Sequence, residues 1–306
     1  MAQATIASVV VPKGGLAHEA RAALIVWSRE LIRFRRDPTR VASSVVQPLL
    51  FLFVLGGGLS ALVQAGTGGI DFKTFLFPGV LSMSVLFSAA FAGISMVWDR
   101  EFGFLREMLV APVSTAAILI GKCLGGASVA TLQSVVVILL AGLVGVPYDP
   151  VMIVELLILL FIMSFMITAL GLLLAGRVKQ VQSAMPLVQM IITPLMFLSG
   201  ALFPLSRLPA WLTIVTHINP MTYAVEPVRA VVFDRLTMPA EARAILDPGI
   251  WWGSFQVPVL MQVGLVILAS LILLFSAVGL FRRTEERYRC FLQSEPSRVC
   301  PFNLLS

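Results

Sequence analysis

Residues 74–98 read TFLFPGVLSMSVLFSAAFAGISMVW, and residues 99–114 read DREFGFLREMLVAPVS. The first stretch carries 25 residues without one Asp, Glu, Lys or Arg, more than the roughly 20 apolar residues that take a helix across a bilayer. The second turns abruptly charged. Working outward, other charge-free windows lie at 41–70, 123–148, 156–176, 180–206, 208–225 and 248–281. The composition agrees. Of 306 residues, 58% are hydrophobic and 12% charged, against about 25% charged in an ordinary soluble domain. Mean hydropathy is +0.95. A water-soluble globule of this length has too little interior for that much apolar side chain. The fold class expected is all-α integral membrane.

Charge then orders the windows. Lys13, Arg21, Arg29, Arg33, Arg35, Arg36 and Arg40 precede the first, and Arg282, Arg283, Arg287, Arg289 and Arg298 follow the last. Both termini therefore read as cytoplasmic by the positive-inside bias, which requires an even number of crossings. The weakest window is 208–225, interrupted by Pro209, His217, Asn219 and Pro220, and it reads as re-entrant or interfacial. Six spans remain, at about 43–65, 75–98, 123–146, 153–175, 183–204 and 257–281. They divide the chain into a cytoplasmic segment 1–40, a transmembrane domain 41–282 and a cytoplasmic tail 283–306. Seventeen of the 22 basic residues then face the cytoplasm. The net charge of +6 is accounted for by this bias, and no basic stripe with interleaved aromatics points to nucleic acid. Thr5 to Val11 is mildly apolar but lacks the preceding basic segment of a cleavable signal peptide.

Three segments outside the spans carry the functional information. Residues 17–36 read as a basic amphipathic helix on the cytoplasmic face, with Ala20, Leu24, Trp27 and Leu31 at helical spacing and Arg21, Arg29, Arg33 and Arg36 elsewhere. Asp37-Pro38 ends it. Loop 99–122 opens with a short helix: Phe102, Leu105, Met108 and Leu109 form an apolar ridge, Arg100, Glu101, Arg106 and Glu107 a polar side, and Pro112 stops it. Such a knob either docks into a groove of a soluble partner or rests on lipid. The outer segment 207–257 holds Trp211, then Tyr223, Val225, Val228 and Val232 with Glu226 and Arg229 placed to pair at i, i+3. It reads as a lid over a translocation path or as an interfacial helix. Trp251 and Trp252 fit an aromatic belt.

Catalytic signatures fail. A P-loop needs GxxxxGK[ST]. Around Gly121-Lys122, Ala116 stands where the first glycine belongs and Cys123 where Ser or Thr belongs. There is no HExxH and no GxSxG, and neither His18 nor His217 falls in a span. The three cysteines form no CxxC, so no zinc site is expected. The spans lack the buried ionisable residues of ion-coupled pumps. Only Glu155 comes close, near the outer end of the fourth. Instead they carry Gln47, Gln133, Gln182, Gln189, Thr168, Thr193, Ser199 and Gln262, which either line a path or pack between helices. A chain without its own energy source fits a transporter powered from outside. A stand-alone secondary transporter or channel, or a membrane scaffold, is the alternative.

At three places the chain resembles a known family. Asp99-Arg100-Glu101-Phe102-Gly103 leads through Leu109-Val110-Ala111-Pro112-Val113-Ser114 to Gly121-Lys122. Leu198-Ser199-Gly200-Ala201-Leu202-Phe203-Pro204-Leu205 is followed by Leu208-Pro209, Trp211 and Asn219-Pro220-Met221-Thr222-Tyr223. Arg36-Asp37-Pro38 leads to Gln47-Pro48-Leu49-Leu50-Phe51. Taken together in chain order, they resemble the membrane subunit of an ABC-2 type exporter, of the daunorubicin-resistance and nodulation-factor kind. The resemblance implies two copies, or this chain with a similar permease, forming the path for an amphipathic drug, lipid or glycolipid. It implies two copies of a separate ATPase subunit carrying ATP and Mg, with no cofactor on this chain, in the multi-pass setting of a bacterial inner membrane. The helix after span two would be the coupling helix, with Phe102, Leu105 and Leu109 as anchors. Asp99, Arg100, Glu101, Arg106 and Glu107 would set its charge register, while Gly103, Pro112 and Gly121 shape the loop. The 17–36 helix would pack on the ATPase. Pro209, Trp211, Asn219, Pro220, Tyr223, Glu226 and Arg229 would belong to outer re-entrant helices. The tail 290–306 departs from the family pattern and has no assigned role.

Overall fold

The computed structural model describes residues 15–58, 60, 72–102, 113–178, 180–203, 209–236, 249–252 and 254–293, with residues 40, 41, 43–45, 210 and 284–293 described through their backbone alone. Helix α1 runs Leu16–Arg36. Glu19 in its first turn and Arg33, Arg35 and Arg36 in its last complement the helix dipole at both ends. Asp37 leaves helical geometry, with φ −117° and ψ 75°, and Pro38 starts α2 (Pro38–Leu50), where its missing N–H costs nothing. Pro48 lies inside α2. Just beyond it the chain passes into a wider π-helical turn over Phe51–Leu55, the kind of irregularity a missing ladder donor invites.

The central helix is α3, Phe72–Glu101. Then come α4 (Thr115–Ile138), a 3₁₀ turn at Ala141–Val144, α5 (Pro150–Arg177) and α6 (Val181–Phe197). Two short helices follow, α7 (Ala210–Ile218) and α8 (Pro220–Phe233). A two-residue hairpin pairs Trp251–Trp252 with Phe255–Gln256 antiparallel. Helix α9, Val259–Gln293, comes last. Helix starts follow local chemistry. The Asp149 carboxylate accepts from Val151 N–H at 3.0 Å ahead of Pro150, and Asn219 Oδ1 accepts from Met221 N–H at 2.9 Å ahead of Pro220. Both are polar N-caps followed by proline at the first helical position.

Among the described residues, four helices are long and apolar enough to cross a membrane: Phe72–Glu101, Thr115–Ile138, Pro150–Arg177 and Val259–Arg283. Two shorter apolar helices, Val46–Gly58 and Val181–Phe197, lie where the first and fifth spans are expected. The protein is mostly helical, as an all-α membrane protein must be. The expected start of the third span differs from the helix observed. The charge-free window begins at 123, whereas α4 begins at Thr115, because Ser114 caps it by accepting from Ala117 N–H at 3.1 Å. Lys122 is thereby drawn two turns inside a helix.

Packing places α3 at the centre. Its apolar window is 83% buried, against 28% for α9. The most extensive contact is α3 with α5, and it depends on glycine. A Cβ on Gly93 would stand 2.7 Å from Gly171 Cα and 2.7 Å from the Thr168 carbonyl. Small residues that let backbones approach this closely supply the packing that drives association between membrane helices.

Candidate functional site

Two polar assemblies stand out, one at each end of α3. At the C-terminal end, Asp99 is 6% exposed and Lys122 2%. Lys122 Nζ lies 2.5 Å from Asp99 Oδ2, 3.3 Å from Glu30 Oε1, and donates to Ser95 Oγ at 2.8 Å. From α1, Arg29 Nη2 lies 3.3 Å from Asp99 Oδ2 and 3.3 Å from Glu30 Oε1, and Arg33 Nη1 lies 3.8 Å from Asp99 Oδ1. A buried ammonium is tolerable only when paired and hydrogen-bonded in this way. Three helices meet here. Helix α1 reaches α4 closely because Gly121 and Gly125 lie beneath it: a Cβ on Gly121 would stand 2.5 Å from the Ala23 carbonyl, and one on Gly125 2.7 Å from Glu30 Cβ. Trp27 Nε1 donates to Ser128 Oγ at 3.0 Å.

The sequence reading gives α1 an apolar stripe for the membrane surface and does not say which face packs on the protein. Ala23 and Val26 are buried, while Leu24 and Ile25 are 57% and 62% exposed. The side chains packed on α4 are therefore neighbours of the stripe that holds Leu24, and Leu24 itself stays on the outside. Contact is set by the small residues of α4 rather than by the longest apolar side chains of α1.

The described residues that flank loop 103–112 are bonded on both sides. At its start, Arg100 Nη1 donates to the Val178 carbonyl at 3.1 Å, its guanidinium sits 5.3 Å from the centre of the Phe281 ring, and Glu101 Oε2 accepts from Val181 N–H at 2.9 Å. At its end, Glu19 of α1 accepts from Ser114 N–H at 3.1 Å and from the Ser114 hydroxyl. Phe102 is 84% exposed. Gly103, Leu105, Arg106, Glu107, Leu109 and Pro112 lie outside the described residues. Gly121-Lys122, the broken P-loop match, lies inside α4, with the lysine committed to carboxylates.

The second assembly surrounds α8. Its sequence reads as half-polar, yet the helix is buried almost throughout: Glu226 is 3% exposed and Arg229 0%. Arg229 Nη1 donates to Glu226 Oε2 at 3.3 Å, fulfilling the i, i+3 pairing, and Nη2 donates to the Gly200 carbonyl. The guanidinium lies 5.4 Å from the centre of the Phe75 ring on α3, a cation–π contact strengthened by burial. Asn219 Nδ2 donates to the Leu195 carbonyl at 2.8 Å, Tyr223 OH to the His217 carbonyl at 2.9 Å, and Trp252 Nε1 to Tyr223 OH at 2.9 Å. Pro209 precedes α7, whose Trp211 is 67% exposed. At 9 and 14 residues, α7 and α8 measure about 14 and 21 Å at 1.5 Å per residue, and neither crosses a core of about 30 Å alone.

The sequence reading missed Lys122, Glu30, Arg29 and Glu19 as parts of one junction. Its available signal was a lone lysine at the edge of an apolar window, since a charge drawn into a membrane helix needs a partner. Which partner was hidden, because Glu30 and Asp99 lie 92 and 23 positions upstream.

Residues 21–233 match the family model for the ABC-2 type transporter. The chain is 30% identical over 212 residues to a transport permease, ycf38, of Cyanophora paradoxa, covering 67% of this chain and 72% of that one. It is 26% identical to nodulation protein J of Sinorhizobium fredii, over 69% of this chain and 81% of that one. It is also 26% identical to the inner membrane transport permease YadH of Escherichia coli K12, over 67% and 80%. The chain belongs to the ABC-2 type transporter family. It is accordingly a multi-pass membrane protein and the permease component of an ABC transporter, a class whose membrane subunits are generally not catalytic and generally pair with ATPase subunits.

Proposed function

We propose that this chain is the membrane subunit of an ATP-driven exporter of amphipathic molecules, a drug, lipid or glycolipid. It crosses the membrane six times with both termini inside, α7 and α8 forming an outer re-entrant pair. Two permease copies, or this chain and a similar one, enclose the path. Two ATPase subunits bind ATP and Mg and dock on segment 99–112. The membrane is a bacterial inner membrane, as for the E. coli relative.

The observation that carries this reading is that the residues flanking loop 103–112 are attached on both sides. Its N-terminal flank is bonded through Asp99 to α1, and through Arg100 and Glu101 to the α5–α6 junction and α9. Its C-terminal flank is bonded through Ser114 to Glu19. A push on segment 99–114 would therefore reach α1, α5 and α6 through short polar contacts and α9 through the Arg100–Phe281 cation–π contact. The outer surfaces support a path. Helix α9 exposes Leu268, Ile272 and Phe275, a face fit for lipid. Helix α6 exposes Gln182 and Gln189, with Gln189 Nε2 donating to Thr193 Oγ1 at 3.1 Å. Exposed amides on a membrane helix belong against a partner or water rather than hydrocarbon.

The test is purification of the chain from native membranes in gentle detergent, with the eluate assayed for ATP hydrolysis. An ATPase subunit co-elutes, and deleting 103–112 releases it. The Glu101→Arg variant, which reverses the charge held at the Val181 N–H, folds and keeps the ATPase but loses transport. Elution of the chain alone, or full transport by Glu101→Arg, defeats the reading and turns attention to gradient-driven transport.

A further inference from the structure

A cavity of about 660 Å³ opens between the α1–α2 junction, α3 and α4, within a single copy of the chain and on a different side of α3 from α5. Its wall follows α3 from Val80 to Trp98, about 27 Å of helix at 1.5 Å per residue. It is therefore long rather than round, and its volume falls in the range of about 300–1,000 Å³ that holds drug-sized ligands.

The chemistry changes along its length. At the Trp98 end, Arg33 and Asp37 of the α1–α2 junction place charge of both signs in the lining, with Arg33 3.8 Å from Asp99. Aromatic side chains line the body: Phe51, Phe87, Phe91 and Trp98. Polar groups interrupt that wall: Ser84 and Ser88 on α3 lie well away from the charged end, Ser88 Oγ donates to Gln133 Oε1, and Gln47 of α2 also lines the cavity. Ser88 stands about 15 Å along the helix from Trp98. Ser84, Ser88 and Gln133 are buried and Gln47 is exposed; a plain hydrocarbon chain would offer the Ser84 hydroxyl and the Gln133 amide no polar partner, which is costly. A ligand with rings in its body, hydrogen-bonding groups partway along and a charged end matches each zone in turn.

We propose that this cavity is a binding site for elongated, ring-bearing amphipaths with a charged end, entered from the cytoplasmic leaflet. It rests on the export reading for its topology and its purpose. Its chemistry is testable without either the ATPase or transport.

The experiment uses the full chain in lipid nanodiscs and dansylcadaverine, which has a naphthalene ring, a sulfonamide and a terminal ammonium on a short chain. Dansyl emission is titrated and the partition into empty nanodiscs subtracted. Saturable binding is expected, with energy transfer from tryptophan that drops in Trp98→Phe. Ser84→Phe, which fills the cavity, weakens binding by about tenfold or more, as loss of most pocket contacts must. Gln133→Leu, which leaves the cavity open, weakens it by about five- to tenfold, the value of a hydrogen bond. This second variant decides the matter should Ser84→Phe fail to fold by gel filtration. Asp37→Asn weakens the cationic probe too. Gly264→Phe, on the lipid face of α9, changes nothing. Non-saturable uptake, or saturable binding indifferent to Ser84→Phe and Gln133→Leu, overturns the site. Equal competition by dodecyltrimethylammonium, which has the charge and chain without ring or sulfonamide, overturns the ring-and-hydrogen-bond specificity. Failure here leaves the ATPase co-purification result intact, and failure there leaves this binding result intact.

Discussion

Lys122 shows how much depends on one side chain. Its ammonium is enclosed between two carboxylates, Asp99 and Glu30, and a serine hydroxyl, at 2.5, 3.3 and 2.8 Å. Lys122→Met keeps the volume and removes the charge. Asp99 and Glu30 are then left close together, with Arg29 and Arg33 as the remaining counter-ions and both of those partly in solvent. Breaking a buried ion pair from one side costs about 3–5 kcal/mol. Lys122→Met is expected to lose a comparable amount, read as a lower Tm in detergent. Adding Asp99→Asn should recover part of the loss, because the orphaned charge goes with it. A single variant as stable as the parent would mean that the arginines alone hold the junction. At this scale the sequence is legible in part. The Glu226–Arg229 pair follows from spacing. The depth of Lys122 does not, because it depends on Ser114 starting α4 earlier than the charge-free window does.

Elements are read well where their signals are local and poorly where a distant neighbour decides. The end of α1 at Asp37-Pro38 is read from the sequence, and the starts of α5 and α8 prove to rest on equally local pairs, Asp149-Pro150 and Asn219-Pro220. The inward face of α1 is not so local, because Gly121 and Gly125 about a hundred positions later select it. The same holds for α8. Its mixture of Val, Glu and Arg resembles a surface helix, and the Phe75 ring and the Gly200 carbonyl join the Glu226 carboxylate in making a buried arginine tolerable. Helix contact through small residues gives a sharp prediction. Gly93→Val puts a branched side chain where even a Cβ would stand 2.7 Å from backbone of α5. The α3–α5 contact must open, and overpacking of this kind typically costs about 1–3 kcal/mol. Gly264→Val on α9 has nothing within 4 Å of the added Cβ and should match the parent in yield and Tm. Equal behaviour of the two variants in a detergent thermal-shift assay would remove the case for a glycine-set contact.

Across the whole molecule, the exposed faces differ in a way that predicts assembly. Helix α9 turns Leu260, Ile267, Leu268, Leu271, Ile272 and Phe275 outward, and hydrocarbon satisfies all of them. Helix α6 turns Gln182, Gln189 and Met190 outward and carries Pro186 and Pro194 within 17 residues. Those prolines free backbone carbonyls that lipid cannot satisfy. In the two-copy assembly proposed above, a second copy facing this surface would supply polar partners to the exposed amides and freed carbonyls. Cross-linking separates the alternatives. With Cys290 and Cys300 replaced by serine and Cys123 buried in α4, Gln189→Cys should form a dimer band in native membranes with a short thiol-specific cross-linker. Ile272→Cys, 57% exposed on the lipid side, should stay monomeric at the same expression. A dimer through Ile272 and none through Gln189 would place lipid on α6, and the polar residues of that helix would then have to be satisfied within one copy.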